Sequence, residues 1–215
     1  MRTNQEYKNA ALALLRGNWT APVVATLVYV VIALLITGST EIPGIIKADT
    51  GLSLWLGGAM SLLCILIVNP LSVGYVNGMR LLYERKDRDC LNNMVKIGTT
   101  NYLHKVLGMF LMGLKVLLWS LLLIVPGIIM TFAYALTPYI LEEHPEIGAW
   151  DASARSREMM KGHKFDLFYL YLSFIGWFFL AILTFGIGFL WLSPYVDTAV
   201  AAFYNDLKAQ RAKRP

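Results

Sequence analysis

The chain has 215 residues, of which 57% are hydrophobic and only 15% are charged, and its formal net charge is +5. Soluble globular chains are about half apolar and a quarter charged, so this composition points to the membrane class. A basic excess in such an apolar chain is typical of cytoplasmic loops and anionic lipid headgroups rather than of nucleic-acid binding. Its two cysteines, Cys64 and Cys90, are too few for a disulfide framework or a four-thiolate metal site.

The chain begins with a predicted short amphipathic helix. Thr3 and Glu6 have the spacing of a capping box, and Gly17 follows the apolar pattern as a stop signal. A membrane helix needs about 20 mostly apolar residues. The first predicted span is therefore Ala21–Ser39, and the second runs from about Leu52 to about Met79.

A second short helix and a helical hairpin are predicted next. Asp89 can cap a helix that stops at Gly98. The apolar run from Val106 to Leu141 is too long for one crossing, and Pro126-Gly127 supplies a turn near its middle. This run therefore predicts the third and fourth spans.

A third short helix is predicted to open at Pro145-Glu146 and to close at Lys161-Gly162. Helical projection places small residues, methionines and one histidine on a single face: Ala149, Ala152, Ser156, Met159, Met160 and His163. We expect this helix to lie along the inner membrane surface with that face against protein or lipid. The apolar run that follows splits at Gly186-Ile187-Gly188, which predicts spans five and six.

The distribution of basic residues predicts the orientation. If both termini are cytoplasmic, the inner segments hold 17 of the 19 lysines and arginines, leaving only Lys47 outside and Lys115 within a span. The positive-inside rule therefore favours this topology. The predicted fold is an all-α polytopic membrane domain over residues 1–215, with six transmembrane helices in three hairpins and short cytoplasmic interfacial helices.

A threefold pattern runs through these elements. Each short helix is followed by a polar residue, an aromatic residue and a hairpin whose second arm contains a proline: Pro70, Pro138 or Pro194. We interpret residues 1–88, 89–144 and 145–215 as divergent copies of one unit. The alternative is that amphipathic joints, aromatic belts and tolerated prolines occur in polytopic proteins generally.

Two charged residues fall within predicted spans. Lys115 and Asp197 each lie 11 residues from a predicted outer turn, which is roughly 16 Å of helix. Placing a charge at such depth costs free energy, and a charged residue found there is by default a candidate functional residue. We therefore predict that Lys115 and Asp197 pair inside the bundle. Alternatively, Lys115 extends its stem towards the headgroups, or the third span starts later than assumed here. Polar residues also precede the helix prolines, as candidates for satisfying freed carbonyls or lining a cavity: Asn69, Thr137 and Ser193.

The segment "SREMMKGHK" is the main basic motif. We predict that it binds anionic lipid headgroups through Arg155, Arg157, Lys161, His163 and Lys164. The alternative is a solvated joint between two buried helices. No histidine belongs to an H-x-x-x-H pair, and "EEHPE" is explained more simply as a helix end and a turn than as a metal site. No metal, cofactor or catalytic residue is predicted.

Six motifs are specific as a set: "LLLIVPGI", "TPYIL", "SREMMKGHK", "LSFIGW", "LTFGIG" and "PY...T..AFY". Together they resemble a bacterial family of integral membrane proteins known as domain of unknown function 975, and a weaker likeness extends to the N-terminal "LRGNW". The resemblance implies a multi-span protein of the bacterial cytoplasmic membrane, distantly similar to the membrane domains of some glycerophosphodiester phosphodiesterases. It brings no established activity, and Lys115 and Asp197 are not part of its pattern.

The expected function is non-enzymatic handling of lipids or small solutes, as transport or membrane organisation. The alternative is a scaffold or regulator that holds a partner protein through its cytoplasmic helices, and an intramembrane enzyme comes third. The expected partners are membrane lipids with anionic headgroups, with a homo-oligomer or a protein partner left open.

Overall fold

The computed structural model describes residues 2–38 and 50–212. This part of the chain is mainly helical and contains no β-strand. A π-helical segment, Cys64–Val68, joins the third helix to the fourth. The twelve α-helices of the described residues are α1 Asn4–Leu15, α2 Thr20–Gly38, α3 Thr50–Leu63, α4 Asn69–Arg85, α5 Cys90–Thr99, α6 Tyr102–Leu122, α7 Ile124–Tyr134, α8 Thr137–Glu143, α9 Ala149–Met159, α10 Lys164–Leu172, α11 Ile175–Leu183 and α12 Phe189–Ala212.

Five stretches of the described residues are long and apolar enough to cross a membrane. They are Thr20–Thr37, Gly57–Arg85, Tyr102–Leu121, Val125–Glu143 and Lys164–Leu183. They coincide with the first five predicted spans, as expected of a membrane protein. The sixth predicted span, in α12, is not among them, because its proline, its aspartate and its polar C-terminal half lower its hydropathy. The predicted outer residue Lys47 lies outside the described residues.

Some predicted boundaries are confirmed by the local backbone. Thr3 and Glu6 form the capping box that opens α1, and Gly17 follows the helix with a positive φ of 79°. The turn between α11 and α12 contains Gly186, also at positive φ, as predicted. In both turns glycine supplies a left-handed conformation that side chains with a Cβ disfavour.

Two predicted boundaries are wrong. The α6–α7 hairpin turns at the extended residue Leu123, and Pro126 lies in the first turn of α7, where a missing N–H costs nothing. Gly127 instead permits the close approach of the two arms, since a Cβ there would lie 2.3 Å from Ser120 Oγ. The helix predicted from Pro145 begins at Ala149, because residues 145–148 form a turn.

The second arms of the three hairpins form the centre of the molecule. We call α4, α8 and α12 the return helices, since each carries the proline of its predicted unit. α4 packs against both α8 and α12, and these three helices contain nearly half of the buried residues in the described part of the chain. The large exposed apolar side chains lie mainly on the outgoing arms and hairpin ends, as expected of a lipid-facing surface.

Each short amphipathic helix packs on a return helix. α5 lies along α4, and α9 lies against α8, so each of them contacts the return helix that precedes it in the sequence. α1 lies against α12, the last of the three return helices. The predicted buried face of α9 is confirmed for four of its members, Ala152, Ser156, Met159 and Met160. Cyclic packing is what a threefold repeat would produce, and triplication itself stays a prediction.

The α4–α5 contact depends on glycine. A Cβ on Gly74 would lie 2.0 Å from the carbonyl oxygen of Met94, and one on Gly78 would lie 3.2 Å from that of Cys90. On the facing helix, a Cβ on Gly98 would lie 3.2 Å from the carbonyl oxygen of Pro70. Small residues therefore bring the two backbones together, as at many helix contacts in membranes.

We predict that Gly74→Ala lowers the free energy of unfolding by about 1–3 kcal/mol, because the new methyl group collides with backbone rather than with a movable side chain. Thermal unfolding in detergent measures the loss. The control is Gly113→Ala in α6, where a Cβ would meet nothing within 4 Å, and no loss is expected. Equal stability of the two variants would contradict this account of the contact.

Candidate functional site

The ammonium group of Lys115 lies against α9. Its Nζ donates to Ser153 Oγ and, at 3.4 Å, to the carbonyl oxygen of Trp150. It also lies 3.5 Å from the centroid of the Trp150 ring, a cation–π contact. Ser153 is fixed in turn by donating to the Trp150 carbonyl at 2.7 Å. α9 therefore supplies Lys115 with both hydrogen-bond acceptors and an aromatic ring.

The predicted pair between Lys115 and Asp197 is wrong. The hydrogen bonds and ring contacts of Lys115 are with α9 and with Tyr134, and none of them reaches Asp197. Equal distance from two turns fixes depth along each helix, but it does not determine which faces the helices present to one another. The alternative of a lysine reaching the polar surface is closer to the structure, because the outer face of α9 is charged and exposed.

A cleft of about 450 Å³ opens beside this lysine, between α6, α7 and α9. We call it the Lys115 cleft. It is lined by two cations, one carboxylate, three aromatic side chains and two small or aliphatic ones: Lys115, Arg157, Glu158, Trp119, Tyr134, Trp150, Leu118 and Ala154. One wall continues into the exposed apolar surface of α6, where Leu117 is 62% and Leu121 is 83% exposed. The cleft thus lies where an apolar surface meets a charged one.

The predicted basic cluster is divided among different places. Arg157 lines the Lys115 cleft, whereas Arg155 lines a second cleft of about 250 Å³ with Lys208 and Arg211. Lys161 and His163 border a small hollow, and His163 Nδ1 lies 2.9 Å from Asp166 Oδ2. The exposed or half-buried positions of all five residues, including Lys164, are compatible with headgroup contact. They do not form one site.

Glu143, at the end of α8, joins the three return helices. Its carboxylate accepts from Arg80 on α4, from Tyr204 on α12 at 2.7 Å, and from Lys208 on α12 at 2.8 Å for both oxygens. The side chains of Arg80 and Glu143 are only 7% and 12% exposed. Sequence reasoning missed this network, and the only available signal was a carboxylate at the end of an apolar span.

A second ion pair ties α6 to α8. Lys105 is fully buried, forms an ion pair with Glu142 at 2.5 Å, and donates to the carbonyl oxygen of Ile97 at the end of α5. Such a buried pair needs further hydrogen bonds to offset the loss of hydration, and the Ile97 carbonyl supplies one. Adjacent carboxylates, Glu142 and Glu143, therefore hold different helices.

The α1–α12 contact is also polar at one edge. The Tyr7 hydroxyl donates to Asp206 Oδ2 at 2.6 Å, and the Arg2 amide donates to the same oxygen at 3.2 Å. Burial and the hydrogen bond to Asp206 raise the pKa of Tyr7, so the phenol remains protonated and keeps donating at physiological pH.

Asp197 lies among tyrosines. It is half-buried in α12, and four tyrosines on four helices lie within electrostatic range of its carboxylate: Tyr29, Tyr75, Tyr139 and Tyr171. Tyr29 and Tyr75 stack with their ring centroids 5.2 Å apart. The functional role that its charge predicts for Asp197 stays a prediction, and its surroundings could not be derived from sequence periodicity.

The residues that precede the helix prolines do not share one environment. Thr137 is fully buried, and its Oγ1 has no hydrogen-bond partner, whereas Asn69 and Ser193 are half-buried. At the break between α7 and α8, it is Ser156 on α9 that satisfies the backbone. Its Oγ donates to the Ala133 carbonyl at 2.9 Å and accepts from the Leu136 amide at 3.2 Å. The other two prolines differ, since a π-helical segment precedes Pro70 and α12 continues through Pro194.

Residues 120–211 match a family model described as "Protein of unknown function (DUF975)". The match includes α7 to α11 and most of α12, and therefore the second and third return helices and α9. Searches of curated proteins and of solved structures each found no match. The expected likeness to glycerophosphodiester phosphodiesterase membrane domains thus stays a prediction. Within the described residues no group of three or more His, Cys, Asp or Glu side chains is arranged to hold a metal ion.

We predict that Glu143→Gln costs about 3–5 kcal/mol of stability, because the nearly buried Arg80 guanidinium loses its closest carboxylate. Thermal unfolding in detergent measures this loss. Glu146→Gln is the control, since that exposed side chain pairs with His144 at the surface and its replacement should change stability by less than about 0.5 kcal/mol. The double variant Glu143→Gln with Arg80→Met should recover part of the loss, and strictly additive effects would contradict the coupling.

Proposed function

We propose that the chain is a multi-pass protein of the bacterial cytoplasmic membrane that binds anionic phospholipids at the Lys115 cleft and handles lipids without a catalytic step. The observation that carries the proposal is the composition of this cleft: two cations and three aromatic side chains at the edge of an exposed apolar surface. A phospholipid changes in the same way along its length, because it has an anionic headgroup at one end and apolar chains at the other.

The cations of the cleft suit a phosphate group. An ammonium has three donors, and two of those on Lys115 are directed to Ser153 and the Trp150 carbonyl, which leaves one for a ligand. Arg157 supplies a planar fork that can bind two phosphate oxygens at once. Glu158, on the same wall, disfavours a second negative charge close to α9. A headgroup with a single phosphate charge therefore fits best.

The remaining wall suits the interface and the acyl chains. Trp119, Tyr134 and Trp150 are residue types that prefer the boundary between headgroups and hydrocarbon. Leu118 and the exposed Leu121 extend the apolar wall along α6, away from the cations. The volume of about 450 Å³ is enough for a headgroup, with the chains lying against the outside of the bundle.

We further propose six spans with both termini in the cytoplasm. The support is the concentration of basic residues in the segments that this topology places inside. In this arrangement α12 is the sixth span, and its polar residues are accommodated because neighbouring return helices bury them.

We expect the double variant Lys115→Gln with Arg157→Gln to lose retained anionic phospholipid. At about 1 kcal/mol for each basic residue near the surface, the affinity should fall by about 2 kcal/mol, or roughly thirtyfold. Native mass spectrometry of the detergent-extracted protein, loaded with phosphatidylglycerol or phosphatidylethanolamine, measures the bound lipid.

The matched control removes the same charge elsewhere. Arg155→Gln with Lys161→Gln takes two cations from the exposed segment but leaves the Lys115 cleft intact. Its retention of phosphatidylglycerol should stay close to that of the unaltered protein. If both double variants lose lipid equally, attraction is a property of the whole basic surface and the proposed cleft is wrong.

Cysteine labelling should test the topology. A membrane-impermeant maleimide applied to intact cells is expected to react with Lys47→Cys and to miss Arg85→Cys and Lys161→Cys, in a background with Cys64→Ala. Native Cys90 should not interfere, because burial raises its pKa to about 11 and its side chain is almost inaccessible. Strong labelling of Lys161→Cys from outside would rule out the proposed orientation.

A further inference from the structure

A second charged cleft lies between the C-terminal parts of α8, α9 and α12, and we call it the Arg155 cleft. Its volume of about 250 Å³ is below the range of roughly 300–1,000 Å³ that is usual for ligand pockets, so it suits a small group. Its lining contains three cations and one carboxylate, together with an imidazole, a phenol and two apolar side chains: Arg155, Lys208, Arg211, Glu143, His144, Tyr204, Met159 and Ala212. Positive charge is therefore in excess at this place.

The carboxylate of Glu143 does not remove this excess. Arg80, which is nearly buried behind the cleft, forms an ion pair with Glu143 and lies 3.9 Å from a second carboxylate, that of Glu84. The Tyr204 hydroxyl also donates to Glu143 at 2.7 Å. Counting Arg80 and Glu84 with the lining residues adds one charge of each sign. The cleft thus keeps an excess of two positive charges, which a doubly charged anion would balance.

Two of the cations are held in place by the protein but keep donors for a ligand. Lys208 Nζ donates to both oxygens of Glu143 at 2.8 Å, which leaves one of its three hydrogens. Arg211 donates through Nη2 to the carbonyl oxygen of Glu158, which is a neutral acceptor, and a guanidinium has five N–H groups. Both side chains are therefore positioned without being saturated.

Arg155 is the cation without a bound partner. Within residues 2–38 and 50–212 it makes no hydrogen bond or ion pair, and it is exposed. Glu146 interacts with it only electrostatically, and the Oε1 atom of Glu146 lies 2.9 Å from His144 Nδ1. All the donors of Arg155 are thus open to a ligand, and a planar guanidinium can bind two oxygens of a phosphate at once.

A phosphate monoester matches this arrangement in charge and in acceptors. Its second pKa is about 6, so it carries a charge of about −1.5 to −2 at pH 7 and has three strong acceptor oxygens. Those oxygens correspond to the two arginines and to the remaining hydrogen of Lys208. A phosphodiester has a single charge and only two free oxygens, so it satisfies fewer of these donors.

We propose that the Arg155 cleft is a binding site for a phosphate monoester, which Arg155, Arg211 and the free donor of Lys208 hold. The proposal goes beyond lipid binding at the Lys115 cleft, because the two clefts share no lining residue. The monoester can belong to a soluble metabolite or to phosphatidic acid, whose headgroup is itself a phosphate monoester.

The position of the cleft admits both sources. Lys208 lies 19 residues after Phe189, the first residue of α12, which is roughly 28 Å of helix and close to the thickness of the hydrocarbon core. In the proposed topology the cleft is therefore at the level of the inner headgroups. Its two apolar lining residues are the buried Met159 and the small Ala212, so it lacks the exposed apolar wall of the Lys115 cleft. We consequently expect the soluble source.

The first experiment measures thermal unfolding of the full-length protein in a phosphate-free detergent at pH 8. Methyl phosphate, which is doubly charged at this pH, should raise the unfolding midpoint in a saturable way, because a ligand that binds only the folded state stabilises it. Dimethyl phosphate, which has a single charge, should have little effect at the same ionic strength. Equal shifts with the two esters, or no shift with methyl phosphate, would overturn the proposal.

The second experiment removes two of the cations. Arg155→Gln with Arg211→Gln leaves Lys208 on Glu143 and should raise the Kd for methyl phosphate about a hundredfold, because each charge-assisted hydrogen bond contributes about tenfold. Without ligand, the midpoint should stay close to that of the unaltered protein, since both side chains are exposed.

Arg85→Gln with Arg88→Gln is the matched control. It takes the same charge from two exposed arginines at the joint between α4 and α5, and it should leave the Kd unchanged. If the control loses methyl phosphate as strongly as the Arg155 and Arg211 variant does, attraction belongs to the whole basic surface and the cleft is not a site.

The third experiment distinguishes the two sources and separates this proposal from the proposed function. Native mass spectrometry compares the retention of phosphatidic acid by the unaltered protein and by Arg155→Gln with Arg211→Gln. A loss of phosphatidic acid in the variant assigns the site to the lipid, whereas unchanged retention with lost methyl phosphate binding assigns it to a soluble monoester. Lys115→Gln with Arg157→Gln should still bind methyl phosphate, and loss of that binding would place the phosphate in the other cleft and overturn the proposal.

Discussion

One carboxylate, that of Glu143, holds together three helices that are distant in sequence. Burying an ion pair gives little net stability by itself, but removing one member leaves the other charge stranded. Arg80, Tyr204 and Lys208 can therefore meet at this point only when α4, α8 and α12 are in register. The order of the central helices, and through them the positions of the short amphipathic helices, depends on this single polar junction.

Lysines perform a related role at the edges of the bundle. Lys8 of α1 donates at 3.0 Å to the Ser173 carbonyl, at the break between α10 and α11. Lys105 reaches the end of α5, and Lys115 reaches α9. Within lipid, the burial of apolar surface contributes little free energy to helix association, because the lipid chains are apolar as well. Close packing and polar contacts therefore determine how the helices are arranged. These lysines thus specify which short helix lies against which hairpin.

The sequence was sufficient for the features that depend on local chemistry. Apolar runs of membrane length predicted the five candidate spans, and the capping box and Gly17 predicted the bounds of α1. It was insufficient where two segments must be placed together. The partners of Lys115 and Glu143 lie 35 to 65 residues away, and periodicity carries no information about such pairings. The turn between α6 and α7 was predicted at the wrong residue because proline is tolerated in the first turn of a helix as well as in a turn between helices.

The contact between α1 and α12 has a consequence for the biogenesis of the protein. Tyr7 and Asp206 are 199 residues apart, so the surface that receives α1 exists only after α12 has been made. At about 5–20 residues per second, synthesis leaves α1 without its partner for roughly 10–40 s. During this interval its apolar face needs temporary shelter, such as the membrane surface, an insertase or a chaperone. Docking of α1 on α12 is therefore a late step of assembly and a natural point for quality control to recognise a chain whose last described helix is missing.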